Sequence, residues 1–535
     1  MPKNMLLVYP KIPEDTYWSF YHALPIIGRK TVLPPLGLIT IADMLGEHNI
    51  KLVDENVETL TDLHLEWADM VFTSSMVAQA KSLDDIVSRA KGFNLPVAAG
   101  GPYPTQFYDR IKNVDYFVLG EAESGVLEQF LADLEIGEAK KAYVRFVMRK
   151  KASEKAIDEL EFRRMKDFFG ENGDIKLISQ RPEMVLSPVP RYDILRMRDY
   201  SSMALQLSRG CPFSCDFCNE SALFGHVPRL KSKTQFIEEL SALYELGYRG
   251  SIFVVDDNFI GNIGMAKEVL AAIQEFQQSR GYPFSLYTEA SINLSHDEQL
   301  MAAMRDAGFS MVFVGIESPD ATTLKTAGKH MNARTDLLEG VRTIQRYGME
   351  VSAGFIIGMD MEPADVCDRT FEFLQEAGIP TAMVGLLTPI LGSELYARYQ
   401  SEGRILTDEV FGNNTHLFSL NYVPDRGRDP AAIVSSYKSL LARLYDSSGK
   451  NYFARCKRLL NNLGPAPNFS RGASVDGFKK FGRSLLKQSF TAYGKEYIKF
   501  LWHSYRQKRE FFPEAVRLAI FGHHFIKLTQ DYLRE

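Results

Sequence analysis

Residues 208–219 read SRGCPFSCDFCN and contain three closely spaced cysteines, Cys211, Cys215 and Cys218. Thiolates are soft ligands that select iron–sulfur clusters or zinc. A structural zinc site normally has four ligands, often supplied as two short pairs. The other two cysteines of the chain, Cys367 and Cys456, are single and distant in sequence. The spacing therefore favours an iron–sulfur cluster over structural zinc or a chance grouping.

Three cysteine ligands on a cluster of four irons leave one iron open. That iron can bind the amino and carboxylate groups of S-adenosylmethionine, and an electron from the cluster can then break the sulfonium bond and release a radical. The spacing, with the aromatic Phe217 directly before the last cysteine, resembles the signature of the radical S-adenosylmethionine superfamily. The resemblance implies that the three cysteines are the metal ligands and catalytic residues, and that Phe217 contacts the cofactors.

Length and composition restrict the class of protein. The 535 residues predict three or four domains, and the net charge of −5 disfavours a nucleic-acid partner. Five cysteines argue against a disulfide framework and indicate a reducing compartment. No stretch approaches the roughly 18 apolar residues of a membrane span, and the first residues lack the pattern of a signal peptide. We therefore expect a cytoplasmic protein, with peripheral membrane contact left open.

Apolar runs alternate with amphipathic helical segments through residue 140, which predicts a Rossmann-like, doubly wound parallel sheet. The runs are Met5–Val8, Lys51–Asp54, Met70–Thr73, Pro96–Ala99 and Tyr116–Leu119. Such sheets bind ligands beyond the carboxyl ends of their strands. Candidate contacts follow the last three runs: Ser74, Met76, Gly100, Gly101, Pro102, Tyr103, Gly120 and Glu121. An ordinary flavodoxin-like module with common turn residues is the alternative.

The order of these elements resembles the cobalamin-binding domain that precedes radical S-adenosylmethionine domains. The matching positions are residues 34–38, 53–56, 100–102 and 120–121. The resemblance implies that the candidate contacts hold cobalamin. One departure is that the first strand leads into YPKI, without the Asp-x-His-x-x-Gly motif of domains in which histidine binds cobalt. His64 fits a surface helix, so we expect no histidine to bind cobalt. The side chains that we expect to lie nearest to the cobalt are Met76, Gln79 and Tyr103.

Residues 141–199 are charged and weakly periodic, which predicts a linker that includes the break at 187–190. Six strand-like runs follow within residues 200–400, most of them with a helical segment behind, and they predict an open (βα)6 barrel. The runs are Met203–Leu207, Ser251–Val255, Phe284–Thr288, Met311–Gly315, Glu350–Ile357 and Ala382–Leu387.

Carboxylates follow four of these strands, at the end where such barrels carry their reactive groups. They are Asp257, Glu289, Glu317 and Asp360. By resemblance to the radical S-adenosylmethionine fold, Glu289 and Glu317 contact the amino acid tail or ribose of the ligand, and residues 356–358 lie beside its adenine. Asp257 is a further candidate contact for the ligand. The alternative is that these carboxylates only cap the next helices.

Residues 401–535 are helical in pattern. The last part, residues 471–535, has 13 Lys or Arg against 6 Asp or Glu, with aromatic residues throughout. One interpretation is a helical cap whose aromatic residues pack on the barrel. The other is a basic, aromatic surface that sits at anionic membranes and receives a lipid.

Longer runs at residues 20–25, 223–231, 255–262 and 348–351 resemble the cobalamin-dependent hopanoid C-2 methylase family. The resemblance implies an enzyme that methylates an unactivated carbon of a lipid-like, hopanoid or other isoprenoid substrate. Its cofactors would be a 4Fe-4S cluster, S-adenosylmethionine and cobalamin, with a flavodoxin- or ferredoxin-type reductant as partner. Two alternatives remain: a radical enzyme that forms rings, couples carbons or oxidises without methylating, and an iron–sulfur or cobalamin sensor.

Overall fold

The computed structural model describes residues 2–123, 125–145, 159–170, 174–178, 183–407, 418–465 and 475–534. Its first unit is a parallel sheet of seven strands in the order β2-β1-β3-β4-β5-β6-β7. The strands are β1 Asn4–Tyr9, β2 Asn49–Asp54, β3 Met70–Ser74, β4 Val97–Gly100, β5 Tyr116–Leu119, β6 Ala142–Arg145 and β7 Ile175–Ile178. The five strands predicted from sequence are all present.

Helices cover both faces of this sheet, because its central strands are buried on both sides and separate two apolar cores. Leu6 and Val8 of β1 face one core, while Met5 and Leu7 face the other. The covering helices are α2 Leu36–Met44, α3 Asp62–Trp67, α4 Ala80–Gly92, α5 Pro102–Phe107, α6 Val126–Glu135 and α7 Glu159–Phe169, whereas the short helix α1 Leu24–Ile27 packs in an apolar cluster with Ile520 of the C-terminal region. This architecture is the predicted Rossmann-like unit.

The sheet extends past the boundary predicted at residue 140. Strand β6 pairs with β5 through Phe117 and Ala142, and β7 pairs with β6. The two strands have only four residues each and include charged side chains, so the apolar pattern was too short to indicate them. The segment 141–199 is therefore not a simple linker. Its part near Ser187 is packed, because Ser187 is buried and its hydroxyl donates to Glu123 at 3.2 Å.

Six parallel strands form the second sheet, in the order β15-β14-β13-β12-β11-β8. They are β8 Ser202–Leu205, β11 Gly250–Val254, β12 Phe284–Glu289, β13 Phe309–Glu317, β14 Glu350–Ile357 and β15 Ala382–Leu386. A short antiparallel pair, β9 Ser208–Arg209 and β10 Arg229–Leu230, follows β8. The six strands lie in chain order, as the open (βα)6 barrel requires.

The barrel helices return the chain from the carboxyl ends of the strands. They are α8 Glu220–Phe224, α9 Lys233–Glu245, α10 Ile263–Ser279, α11 Glu298–Asp306, α12 Ala321–Thr326, α13 His330–Arg334, α14 Leu337–Arg346, α15 Val366–Ala377 and α16 Glu394–Ser401. In α14, the Asp336 side chain caps the first turn by accepting from the Glu339 amide at 3.0 Å. Val341 and Ile344 then face the core, three residues apart on one side of the helix.

The C-terminal region is helical, with α17 Pro430–Leu444, α18 Lys450–Asn462, α19 Val475–Gln488, α20 Gly494–Gln507 and α21 Phe512–Tyr532. Helix α17 covers the edge strand β15, where the Tyr437 hydroxyl donates to the Val384 carbonyl at 2.8 Å. Covering an edge strand in this way satisfies backbone groups that would otherwise be unpaired. In the described part of the chain, no helix has the length and apolarity to cross a membrane.

Candidate active site

The cysteine loop begins directly after β9, at the carboxyl end of the barrel. Gly210 has φ +98°, and a Cβ atom there would lie 2.9 Å from the Gly225 carbonyl oxygen. Only glycine lets the loop turn this close to the chain entering β10. The thiols of Cys211, Cys215 and Cys218 follow, all free and half-buried.

The chemistry of these three thiols fits a metal cluster. Burial raises the pKa of Cys215 to about 11 and that of Cys218 to about 12, and it also raises the pKa of Cys211. Thiols in such a setting lose their protons when a metal supplies positive charge. The described residues contain no group of three side chains that could hold a single metal ion; a four-iron cluster instead bonds each thiolate to a different iron.

Phe217, Lys329 and Glu317 form a chain of contacts beside this loop. The Phe217 ring is buried against Met359 and Leu387, and the Lys329 ammonium lies 5.8 Å from the ring centroid. Lys329 also forms an ion pair with Glu317. Burial lowers the pKa of Lys329, but Glu317 and then Cys215 more than offset this, so the pKa is raised and Lys329 is charged.

Glu317 sits in strained backbone at the end of β13. Its φ is +67°, in the left-handed region that residues other than glycine rarely adopt, and the strand pairing shifts at this position. The shift turns the carboxylate toward Lys329. Gly315 makes room for the pair, because a Cβ atom there would lie 2.7 Å from the Lys329 ammonium. Strain of this kind persists only where the surroundings hold it, and it concentrates at functional sites.

Three further carboxyl groups meet at the same end of the barrel. Asp257 accepts a hydrogen bond from the Gly210 amide at 3.2 Å, and Glu220 shares a hydrogen bond with Asp257. Burial and then the charge of Asp257 raise the pKa of Glu220, so the Glu220 carboxyl keeps its proton and donates a hydrogen bond to the Asp257 carboxylate. Burial, followed by the charge of Asp257, raises the pKa of Glu289 to about 8.

The charged partners of this cluster of four carboxyl groups include two cations, Lys329 beside Glu317 and Arg209 near Asp257. A buried site with more carboxyl groups than cations attracts a cationic ligand such as a sulfonium, and binding it would lower the raised pKa of the carboxyl groups. Asp257, Glu289 and Glu317 are thus brought together as the sequence predicted. Glu220 was missed, although its position two residues after Cys218 was a usable signal.

Two aspartates near this cluster, Asp256 and Asp360, stabilise the surrounding loops and strands. Asp256 accepts from the Leu207 amide at 2.7 Å and from the Ser208 hydroxyl at 2.6 Å, which ties the end of β11 to β9. Asp360 forms ion pairs with Arg398 at 3.2 Å and Arg404 at 2.7 Å. Because both guanidiniums engage its carboxylate, Asp360 is a structural group and not a contact for the ligand.

The crevice at the carboxyl ends of β3, β4 and β5 has the features of a site for a large flat ligand. Gly101 has φ +89°, and a Cβ atom there would lie 2.3 Å from the Ser74 hydroxyl. At Gly100 a Cβ atom would lie 2.9 Å from the Val118 carbonyl oxygen. The buried hydroxyls of Thr73 and Ser75 have no hydrogen-bond partner among the described residues. Close backbone and unsatisfied hydroxyls fit the predicted cobalamin.

The side chains expected to lie near cobalt differ in how far they are exposed and in whether they already form hydrogen bonds within the protein. Tyr103 is buried against Phe107, with ring centroids 5.6 Å apart. The Gln79 amide is used internally, because it accepts from the Met76 amide at 2.9 Å and donates to the Pro10 carbonyl at 2.6 Å. Met76 is 44% exposed. His64 caps α3 by accepting from the Thr61 amide at 3.1 Å, as expected for a helix histidine.

Glu121 does not fit its predicted role as a cobalamin contact. It is buried, and its carboxylate forms ion pairs with Arg145 at 3.0 Å, Arg209 at 3.0 Å and Arg229 at 2.7 Å. Three guanidiniums occupy the oxygens that a ligand would need. The preceding Gly120, with φ +90°, stays a candidate, because this residue is exposed.

Comparisons with known proteins agree with this geometry. Residues 25–128 match the family model of the B12 binding domain, and residues 205–386 match the radical SAM superfamily. Residues 393–535 match a domain of unknown function, DUF4070. The chain is 37% identical to an uncharacterized methyltransferase of Synechocystis sp. over 86% of this chain and 79% of that protein. It is 34% identical to the hopanoid C-2 methylase of Rhodopseudomonas palustris over 83% and 77% of the two chains.

The chain belongs to the cobalamin-dependent radical S-adenosylmethionine methyltransferases. The predicted fold class, the three cofactors and the methylating activity are thereby confirmed. Among solved structures, the methyltransferase TsrM from Kitasatospora setae has a TM-score of 0.62 at 14% identity, covering 97% of this chain and all of that one. OxsB, a cobalamin-dependent radical enzyme, has a TM-score of 0.60 at 16% identity, covering all of this chain and 80% of that one. At these identities the likeness shows the fold.

In this methyltransferase the bound cofactors supply a radical and a methyl group that can be transferred to a carbon radical. The residues described above would orient and shield these cofactors. The aromatic and aliphatic wall of Phe217, Met359 and Leu387 excludes water from one side of the cysteine loop. The carboxyl groups and Lys329 provide fixed charges at the strand ends, so little reorganisation is needed when a cationic ligand binds.

Proposed function

We propose that this methyltransferase adds a methyl group to an unactivated carbon of a lipid-like substrate, a hopanoid or another isoprenoid. The observation that carries the proposal is the 34% identity to the hopanoid C-2 methylase over 83% of this chain. That similarity runs through both cofactor-binding units and into the helical region, whereas a shared fold alone would not indicate a substrate. The reductant is a small flavodoxin- or ferredoxin-type protein.

Within this function, Cys211, Cys215 and Cys218 hold the 4Fe-4S cluster. Phe217 packs beside it. Asp257, Glu289 and Glu317 contact S-adenosylmethionine, and the acidic excess around Lys329 supports this assignment. The crevice contacts for cobalamin are Ser74, Met76, Gly100, Gly101, Pro102, Tyr103 and Gly120.

We further propose that no histidine binds cobalt in the crevice. His64 caps α3 by accepting from the Thr61 amide, and the Nδ1 atom of His48 accepts from the Lys3 amide at 3.2 Å. Electron paramagnetic resonance of the bound cob(II)alamin should show no nitrogen splitting from an imidazole. Such a splitting, lost in His64→Ala, would contradict the assignment.

A lipid substrate requires contact with the membrane that contains it, and the C-terminal helices offer a suitable surface. We define the exposed apolar surface as six side chains of α19, α20 and the turn between them: Phe478, Leu486, Phe490, Ile498, Trp502 and Tyr505. Their exposure is high, from 44% at Ile498 to 89% at Phe490. Residues 475–510 also carry nine Lys or Arg against three Asp or Glu. This combination is typical of helices that lie in an anionic membrane interface.

The pattern on α20 supports this use. Ile498, Trp502 and Tyr505 are spaced four and three residues apart, so they share one face of the helix. The Arg506 guanidinium lies 4.7 Å from the Trp502 ring centroid, at the edge of that face. Tyr497 and Phe500 point the other way and are buried in the helical core. The helical-cap interpretation thus applies to one face of the helix, and membrane contact applies to the other.

The test of the substrate class is mass spectrometry of lipid extracts from cells with and without the gene. Cells fed methyl-deuterated methionine should contain a lipid about 17 Da heavier than its precursor, because a transferred CD3 group replaces one hydrogen atom. This lipid should be present only in cells with the gene. The matched control is a Cys211→Ala strain, which should lack this product. A labelled product confined to the water-soluble fraction would contradict the lipid assignment while leaving methylation intact.

A further inference from the structure

A buried ionic cluster joins the cobalamin unit to the cysteine loop. Arg209 contacts Glu121 at 3.0 Å and Glu123 at 2.7 Å. Arg229 contacts both carboxylate oxygens of Glu121, at 2.8 Å and 2.7 Å. All four side chains are between 4% and 14% exposed. We call these four residues the ionic junction.

The geometry of the ionic junction makes it stiff. Paired N–H groups of a guanidinium on a carboxylate fix orientation as well as distance. The Arg209 Nε atom is also held, by the Gln206 side chain at 2.9 Å. Burial tends to raise the pKa of Glu123, but Arg209 more than offsets this and the pKa falls to about 2. Glu123 is therefore charged at any physiological pH.

A second contact holds the other end of the same loop. The Asn219 side chain donates to the Gln106 side chain at 3.0 Å, and Gln106 belongs to α5, after β4. Arg209 lies two residues before the first cysteine, and Asn219 directly follows the last one. The segment with the three thiols is thus fastened at both ends to loops that line the proposed cobalamin crevice.

We propose that the ionic junction and the Gln106–Asn219 hydrogen bond are positioning elements that fix the separation between the cluster and cobalamin. The proposal rests on the assignment of the three cysteines and the crevice given above. One substrate carbon must lose a hydrogen atom to the radical and then receive a methyl group from the other cofactor. An error of about 1 Å in such geometry can lower a rate by about 100-fold, so the two sites need a rigid connection.

The experiment measures that separation directly in the reduced holoenzyme. The reduced cluster and cob(II)alamin each carry an unpaired electron, so pulsed electron paramagnetic resonance reports the distance between them. In Arg209→Met we expect the distance distribution to become at least twice as wide as in the wild type. Arg209→Lys should fall between, because an ammonium cannot make the paired contacts. The control is Arg89→Met, whose ion pair with Asp62 at 2.6 Å lies within the cobalamin unit.

A purely structural role would lower the melting temperature without widening the distribution, and that result would overturn the proposal. Glu121→Gln provides an independent variant, because it keeps the side chain's shape, leaves the sequence of the cysteine loop unchanged and still leaves Arg209 paired with Glu123. In that variant the amides of residues 207–219 should exchange hydrogen at least 10-fold faster than in the wild type. Unchanged exchange would also overturn the proposal. A wild type that binds no iron would instead refute the cysteine assignment.

Discussion

At the scale of single residues, the strongest expectation concerns the thiols. Replacing Cys211, Cys215 and Cys218 together by Ala should remove the iron, about four atoms per chain in the anaerobically purified wild type, and abolish formation of 5′-deoxyadenosine. The physical reason is that these three thiols are grouped on one loop, whereas Cys367 and Cys456 are buried singly within helices α15 and α18. Iron analysis and chromatography of the reaction products are the measurements.

The control for this triple variant is Cys367→Ala, which should keep its iron and its activity. Retention of the cluster in the triple variant, or a zinc-filled protein without iron after anaerobic reconstitution, would contradict the assignment.

Glu317 offers a second test at this scale. Glu317→Gln keeps the shape of the side chain but removes its charge, so the proposed charge-assisted hydrogen bond to the amino acid tail or ribose of the ligand would be lost. Such a bond contributes roughly 1.5–3 kcal/mol, which corresponds to a loss of about 10–150-fold in affinity for S-adenosylmethionine. Equilibrium binding to the reconstituted enzyme would measure it.

Asp320→Asn is a suitable control for Glu317→Gln. Asp320 caps the neighbouring helix α12 through the Thr323 amide at 2.8 Å. If both variants lost the same affinity, the effect would come from disturbance of this loop, and the direct role of Glu317 would be wrong.

At the scale of elements, α19 and α20 carry the proposed membrane contact. Replacing Leu486, Phe490 and Trp502 by Ser should weaken binding to vesicles that contain anionic lipid by at least 10-fold, because each side chain would otherwise bury apolar area in the interface. The three side chains are 58% to 89% exposed, so the change should leave the free energy of unfolding nearly unaltered. Vesicle co-sedimentation is the measurement.

The matched control changes exposed apolar residues elsewhere, Leu63 and Ile136, which are 75% and 68% exposed in the cobalamin unit. Their Ser variants should bind vesicles like the wild type. Equal weakening in both sets, or strong binding that is independent of anionic lipid, would contradict a specific surface on α19 and α20.

At the scale of the whole molecule, helix α21 packs against the N-terminal segment that leaves the first sheet. The His524 imidazole contacts the Tyr17 carbonyl at 3.1 Å and stacks on Phe20 at 5.2 Å. His523 and His524 are buried, and burial lowers the pKa of both to about 3. Both imidazoles are therefore neutral in the folded protein and would take up protons on unfolding below their ordinary pKa.

This sets the direction of a pH effect. A histidine whose folded pKa is depressed stabilises the protein above the unfolded value of about 6.5, and this stability is lost as the pH falls toward 3. Between pH 7.5 and 5.5 the two histidines together should lower the free energy of unfolding by about 3 kcal/mol. The double variant His523→Gln/His524→Gln should lose that part of the slope, measured by denaturant unfolding at each pH.

His296→Gln is the control, because His296 is exposed and should leave the slope unchanged. Other groups with shifted pKa values cancel in the difference between wild type and variant. An identical slope in the double variant would show that the two histidines are not neutral in the folded protein.

The sequence was sufficient where short-range pattern and chemistry coincide. Three cysteines within eight residues indicated the cluster loop, and apolar runs punctuated by glycines located both parallel sheets with all eleven predicted strands. The reason is that buried parallel strands read as continuous apolar runs, and ligand loops need small residues whatever the surrounding fold. Function followed from these local signals together with the family resemblance.

Only the tertiary structure decided what each charged side chain does. Glu121 follows a strand of the first sheet, where a ligand contact is expected, but its carboxylate forms ion pairs with three guanidiniums that are distant in sequence. Asp360 is likewise held by Arg398 and Arg404, and Glu220, two residues after Cys218, shares a hydrogen bond with Asp257. A charge finds its partner through the packing of whole units, and spacing along the chain contains no information about that packing. The sequence thus determined the fold and the cofactors, and the assembled structure determined the connection between them.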